Sequence, residues 1–148
     1  MKIRPKYILM IVALIGIVLF GACRTKYKPM LNSDSGVQLK SISIIQAQTE
    51  ARSAGKPLFV FIHASWCPTC KKMEHEVLVE KQVGDTYNSK FINAAIDIDS
   101  EDGKKLKELY PIRATPTLFF FKADGTLAKK WEGYATLEKL VSLSAEIN

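Results

Sequence analysis

Five consecutive apolar residues, Leu58, Phe59, Val60, Phe61 and Ile62, constrain this chain more than any other segment. The run is too short for a typical helix and rich in aromatic and β-branched side chains, so it predicts a strand buried on both faces. Such a strand sits inside a sheet, usually beside a parallel neighbour, with a covering layer on either side. The flanking sequence supplies those layers. A short strand is expected over residues 37–40, then a helix over 43–53 from the spacing of Ile44, Ala47, Ala51 and Ala54, stopped by Gly55-Lys56-Pro57. Beyond Ile62, Cys67 and Cys70 open a helix to about residue 80 with Cys70, Met73 and Val77 on one face, followed by a short helix over 81–89 and a strand over 91–98. Ser100 can cap the next helix, where Glu101 and Asp102 suit the positive end of the dipole, Leu106, Leu109 and Tyr110 form an apolar stripe, and Pro111 closes it. Residues 117–121 and 126–131 flank Lys122-Ala123-Asp124-Gly125, whose Asp-Gly pair supplies the positive-φ turn of a hairpin. A last helix over 136–147 is expected to bury Leu137, Leu140, Val141 and Ile147. The order β-α-β-α-β-α-β-β-α predicts an α/β fold: a mixed central sheet with helices on both faces, its central strands parallel and its final hairpin antiparallel.

Composition excludes several classes. With 47% hydrophobic and 24% charged residues over 148 positions, the chain is a foldable globular one, not a disordered tail, a collagen-like repeat or a polytopic membrane protein, and one domain is expected. The formal net charge of +6 falls to +3 without Lys2, Arg4 and Lys6, and the longest cationic runs are pairs. With no basic stripe interleaved with aromatics, nucleic acid is not an expected partner. The 3 cysteines are too few for a disulfide framework and fall as one isolated residue plus a Cys-x-x-Cys pair.

The isolated one, Cys23, follows a basic segment at residues 1–6, an apolar run at 8–20 and the small residues Gly21 and Ala22. This resembles a bacterial lipoprotein signal, although Phe20 stands where an aliphatic residue is usual and Leu19 lies one place too early. The resemblance implies a signal at 1–22 that is removed, lipidation of Cys23 as the new N-terminus, and a periplasm-facing lipoprotein of the cell envelope, in either the inner or the outer membrane. An uncleaved anchor is the alternative, but residues 8–20 fall short of the roughly 20 needed to span a bilayer. Either arrangement puts the body outside the cytoplasm. Residues 23–36 contain Pro29, Asn32, Ser33, Asp34, Ser35 and Gly36 without a sustained apolar period, which predicts a flexible tether ahead of a folded domain at 37–148.

The Cys-x-x-Cys lies where a buried strand gives way to a helix. A sulfur there faces unpaired backbone N–H groups and the positive end of the dipole, which favours thiolate over thiol at Cys67. Pro68 suits the first helical turn because it gives up no needed hydrogen bond, and Cys70, nearly one turn on, can close a disulfide from the more buried side. Cys67 is therefore the expected attacking thiolate and Cys70 the resolving thiol, in an exchange cycle that needs no bound cofactor.

Ala64-Ser65-Trp66-Cys67-Pro68-Thr69-Cys70-Lys71 after one buried strand and Ala114-Thr115-Pro116-Thr117 before another resemble the thioredoxin superfamily, and the similarity covers residues 37–148, with the Asp-Gly hairpin and Gly133. The runs Gly55-Lys56-Pro57-Leu58-Phe59-Val60-Phe61 and Lys71-Lys72-Met73-Glu74-His75-Glu76-Val77 are most similar to extracytoplasmic members, including the periplasmic carboxy-terminal domain of transmembrane disulfide-reducing carriers. The resemblance implies a thioredoxin-like fold and thiol-disulfide oxidoreductase activity. It also implies a cis peptide at Pro116 lying against the cysteines, and Thr115 offering its backbone to an extended substrate strand. Trp66 would shield the rim of the site, with Pro68 and Thr69 shaping it. Two positions depart from thioredoxin: Phe61 stands where a buried Asp helps move the resolving thiol's proton, and Ala95 where its accompanying lysine stands. Glu74 or His63 could take over that relay through water, although a solvated helix face would also explain Glu74, as it explains His75 and the Lys71-Lys72 pair.

Other readings compete with this one. His63, Cys67, Cys70 and His75 could hold zinc, but their compact spacing is unlike the separated ligand pairs of structural sites, so no metal is expected. Haem attachment is excluded because Lys71 follows Cys70. A binding module with an incidental cysteine pair would lack disulfide exchange. Within the redox reading, oxidation or isomerisation of disulfides competes with reduction. Reduction is favoured by the resemblance and because about 110 folded residues leave no room for a dimerisation domain. The implied partners are disulfide-bonded protein substrates and an upstream membrane thiol donor, with the protein monomeric.

Overall fold

The computed structural model describes residues 34–147, so the expected signal, Cys23 and most of the tether lie outside the described residues. Strand β1 (Leu58–His63) is buried at every position. It lies inside a 4-stranded sheet of order β2-β1-β3-β4. β2 (Ile92–Asp97) runs parallel to it, with Leu58 opposite Ile92 and His63 opposite Asp97. β3 (Thr117–Phe121) runs antiparallel to β1, with Ile62 opposite Thr117, and β4 (Leu127–Glu132) forms the hairpin on β3. The two central strands, β1 and β3, are thus antiparallel rather than parallel. β3 therefore begins at the end of the sheet where β2 finishes, with Asp97 opposite His63 and Thr117 opposite Ile62.

Because successive side chains of a strand point to opposite faces, β1 and β3 feed two cores. Phe59, Phe61, Leu118 and Phe120 pack under α2 (Pro68–Glu76), α3 (Lys81–Lys90) and α5 (Leu137–Ala145). Leu58, Val60, Ile62, Phe119 and Phe121 pack under α1 (Ile44–Ala54) and α4 (Glu101–Leu109). The expected mixed sheet with helices on both faces is therefore present. Phe59 meets Tyr87 edge-on at 4.8 Å. Burying such a ring contributes about 1.5–3 kcal/mol, and the Tyr87 hydroxyl, held un-ionised by its burial, donates to the Leu140 carbonyl at 3.0 Å. Helix starts follow their caps: Ser43 and Gln46 form a reciprocal capping box, and Ser100 Oγ accepts from Gly103 N–H. Gly125, at φ +90°, makes the hairpin turn. Among the described residues no helix is long and apolar enough to cross a membrane.

Several expected elements are altered. Residues 37–40 form no strand beyond a bridge from Lys40 to Ala94. Their backbone is claimed elsewhere: Val37 N–H donates to Leu78 O, Gln38 N–H donates to Asn88 Oδ1, and Asn88 Nδ2 donates to Gly36 O. α2 stops at Glu76, because the N–H groups of both Val77 and Leu78 turn back to Met73 O. Leu109 is 72% exposed. Gly103 and Leu106 are the buried positions of α4, and the Tyr110 ring packs at an angle against Phe119 and Phe121, so the apolar stripe is centred away from Leu109. In α5, Leu143 is buried with Leu140, while Leu137 and Val141 are half-buried.

The last tether residues are packed against the domain. Ser35 Oγ donates to Val79 O at 3.3 Å, and a Cβ on Gly84 would come within 2.1 Å of the Ser35 carbonyl oxygen. Backbone meeting backbone cannot yield as a flexible side chain can. Gly84→Ala is expected to cost about 1–3 kcal/mol, read as a lower denaturation midpoint with an unchanged m-value in guanidinium titration.

Candidate active site

The functional residues gather at one end of the sheet. β1 ends at His63 opposite Asp97, and β3 begins beside them with Thr117 opposite both Ile62 and Glu132. Cys67 caps α2: its backbone is extended, Pro68 follows as the first helical residue, and its sulfur accepts the Cys70 N–H at 3.0 Å. Cys67 and Cys70 are joined in a disulfide with Cα atoms 5.3 Å apart. Cys67 keeps 3% exposure and Cys70 0%, so what access the disulfide has is on the Cys67 side. Pro68 and Thr69 are exposed beside it. Once the disulfide is opened, the Cys70 N–H and the dipole of α2 both favour negative charge on the Cys67 sulfur.

Trp66 is 62% exposed, yet its indole is fixed, with Nε1 donating to Asp99 Oδ2 at 2.7 Å. Asp97 orders that loop by accepting the Asp99 N–H on Oδ1 at 2.9 Å. Asp99 escaped the sequence reading; the pair Asp97 and Asp99 at the end of the second buried strand was the signal available. Across the site, the Thr115–Pro116 peptide is cis, and Pro116 O accepts the Gly133 N–H at 2.7 Å. Thr117 Oγ1 donates to Ala114 O and steadies the same turn. Neither the N–H nor the C=O of Thr115 bonds to any of the described residues. Between Trp66 and Thr115 lies a groove of about 550 Å³, whose lining includes Lys107 and Arg113, neither of them singled out by the sequence.

Behind the disulfide the wall is apolar where thioredoxin has its charged pair: Phe61 lies opposite Ala95, at 0% and 5% exposure. Glu74 is not a solvated helix residue. It is 1% exposed, on the same face of α2 as Cys70 and Met73. His63 is 4% exposed and stacks on Phe61 with centroids 5.7 Å apart. Burial holds the His63 imidazole below its usual value, opposed by the Asp97 carboxylate. His75 is exposed while His63 is buried, and among the described residues no cluster of three metal-ligating side chains occurs.

A family model for the thioredoxin-like domain matches residues 45–147. The chain belongs to the thioredoxin-like domain family. It is 28% identical over 104 residues to the thiol:disulfide interchange protein DsbD of Pseudomonas fluorescens, covering 66% of this chain and 18% of that one. It is 30% identical over 87 residues to protein disulfide-isomerase 1 of Dictyostelium discoideum, covering 59% of this chain and 24% of that protein. The chain thus spans a quarter or less of these curated relatives. The solution structure of a candidate disulphide-isomerase from Bacteroides thetaiotaomicron superposes with a TM-score of 0.67 at 27% identity, over 76% of this chain and 93% of that one.

The lowered His63 pKa has a consequence for stability. From the usual value of 6.5 downward, the unfolded chain binds a proton before the folded chain does, so stability is full above that value. It is lost as pH falls through the folded imidazole's own lower value. Urea denaturation midpoints between pH 7 and pH 5 should therefore decline more steeply for the wild type than for His63→Gln.

Proposed function

We propose that the chain is a thiol-disulfide oxidoreductase of the bacterial cell envelope that reduces disulfides in protein substrates through a Cys67/Cys70 dithiol-disulfide cycle. The observation that carries this reading is the Cys67 sulfur at the head of α2, accepting the Cys70 N–H at 3.0 Å, with Cys70 sealed behind it. In the reduced protein, the Cys67 thiolate attacks one sulfur of a substrate disulfide and the other substrate sulfur leaves as a thiolate. Cys70 then gives up its proton and attacks Cys67 Sγ, which releases the second substrate thiolate and forms the Cys67–Cys70 bond. Two electrons pass to the substrate, and an upstream membrane dithiol returns them. Thr115, whose backbone groups are unclaimed among the described residues, supports pairing with an extended substrate strand. Trp66, Pro68, Thr69 and Pro116 shape the rim. Glu74 is the acceptor for the Cys70 proton, favoured by its burial one turn beyond Cys70, and His63 is the alternative acceptor.

Residues 1–22 serve as a lipoprotein signal, Cys23 carries the lipid, and residues 23–36 tether a monomeric domain at 37–148 facing the periplasm. The similarity to the thiol:disulfide interchange protein DsbD supports disulfide exchange, and the reductive direction and the membrane thiol donor follow from the resemblance to extracytoplasmic disulfide-reducing carriers. The match to protein disulfide-isomerase 1 keeps disulfide reshuffling as a second reading.

Cys67→Ser should abolish reduction of a protein disulfide, and Cys70→Ser should accumulate mixed disulfides that non-reducing gels resolve; full turnover by Cys67→Ser would sink the proposal. Redox titration of the full chain in mild detergent separates the directions. A potential near the roughly −270 mV of thioredoxin fits a reductase, and one near the roughly −120 mV of strong oxidants transfers the protein to disulfide formation. Glu74→Gln should slow release of the mixed disulfide by roughly tenfold or more and alter its pH profile, followed by rapid quenching with an alkylating agent. Unaltered release would remove Glu74 from the relay.

A further inference from the structure

We infer that the groove beside the disulfide selects substrate segments that carry carboxylates next to apolar side chains, with Lys107 and Arg113 reading the charge. This rests on the thiol-disulfide reading above and names its substrate class. The groove, about 550 Å³, runs from Trp66 to Thr115 and is lined by the apolar Ile98 and Ile112 as well as by the two cations. The single carboxylate in its lining, Asp99, is already held by the Trp66 indole at 2.7 Å. Lys104, also in the lining, is held by Glu101 at 2.9 Å. Neither the Lys107 ammonium nor the Arg113 guanidinium makes a hydrogen bond or ion pair with any of the described residues. Glu132 accepts the Arg113 backbone N–H at 2.8 Å, pairs with Lys130 at 3.3 Å and attracts the Arg113 guanidinium only through space, so a substrate carboxylate competes with a group that is already shared.

This positive bias is local. Of the 21 cationic residues, Lys2, Arg4, Lys6, Arg24, Lys26 and Lys28 precede residue 34, and no acidic residue does. From Asp34 onward 15 cations therefore face 15 acids. A neutral domain thus presents two cations that make no side-chain hydrogen bond among the described residues, in a lining shared with Ile98 and Ile112, at the place where a substrate strand would lie. A strand paired on Thr115 would send every second side chain, about 7 Å apart, toward the groove. Carboxylates there meet Lys107 and Arg113, and apolar neighbours meet Ile98 and Ile112.

The test uses the full chain, reduced, with a series of disulfide-linked peptides carrying Glu, Gln or Lys two residues from the cysteine, and hydroxyethyl disulfide as a small neutral substrate. The Glu peptides should exceed the Lys peptides in kcat/KM by about tenfold at low salt, a ratio that shrinks in 0.5 M salt as screening sets in. The double variant Lys107→Glu, Arg113→Glu should invert the order. Lys81→Glu with Lys122→Glu, the same change of net charge placed elsewhere, should keep it. Equal rates across the peptides, or a preference that survives the groove reversal, would overturn the groove assignment while leaving redox chemistry in place. Failure to exchange even with hydroxyethyl disulfide would overturn the redox reading and this one with it.

Discussion

A strand that is hydrogen-bonded along both edges and covered on both faces can offer chemistry only at its ends. β1 is such a strand, flanked by β2 and β3 and buried at every position. Its amino end follows the turn that closes α1, and its carboxyl end at His63 leads directly into the cysteine loop. The site depends on this outlet. Asp97 is in register with His63, Thr117 with Ile62, and Glu132 with Thr117, so the ladder itself brings the loops of Trp66, Asp99, Pro116 and Gly133 together. Rigid strand ends then position flexible chemistry, as open α/β sheets do generally.

Around the disulfide, polar groups are few and each is placed. Asp97 organises Asp99, Asp99 holds the indole, and the Cys70 N–H points at Cys67. The wall behind is apolar at Phe61 and Ala95, and into it the sequence sets a carboxylic acid, Glu74, and an imidazole, His63. Burying titratable groups among aromatic and aliphatic side chains is costly unless they are hydrogen-bonded or paired. In the proposed cycle, these two groups are the candidates to take the proton of the buried Cys70 thiol.

Much of this was legible in the sequence because it is carried by local chemistry. The apolar run announced β1, the Cys-x-x-Cys at its end announced the redox pair, Asp-Gly announced the hairpin, and Ser100 announced the start of α4. What was not legible depends on tertiary competition for the same groups. Val37, Gln38 and Leu39 pattern like a strand, but Asn88 and Leu78 take the backbone bonds a strand would need. Glu74 reads as a surface residue because its neighbours Lys71, Lys72, His75 and Glu76 are exposed, and only the roll of α2 against β1 turns it inward. Leu109 fits an apolar stripe by type, but Gly103 is the residue whose missing side chain lets α4 approach the backbone at Asp97. Asp99 and Arg113 are ordinary loop residues until the fold sets them beside Trp66 and Thr115.

The docking of Ser35 and Gly36 onto α3 fixes a direction for the whole molecule. The chain enters beside Val79 and Gly84, past the carboxyl end of α2, whose amino end is Cys67. The 9 residues of α2 alone separate the two points, a rise of roughly 14 Å. Residues 35 and 36 therefore meet the domain beyond the end of α2 that lies away from Cys67. In the proposed tethered arrangement, a pull at residue 34 would be taken up first where Ser35 and Gly36 meet Val79 and Gly84, and not by the cysteine loop.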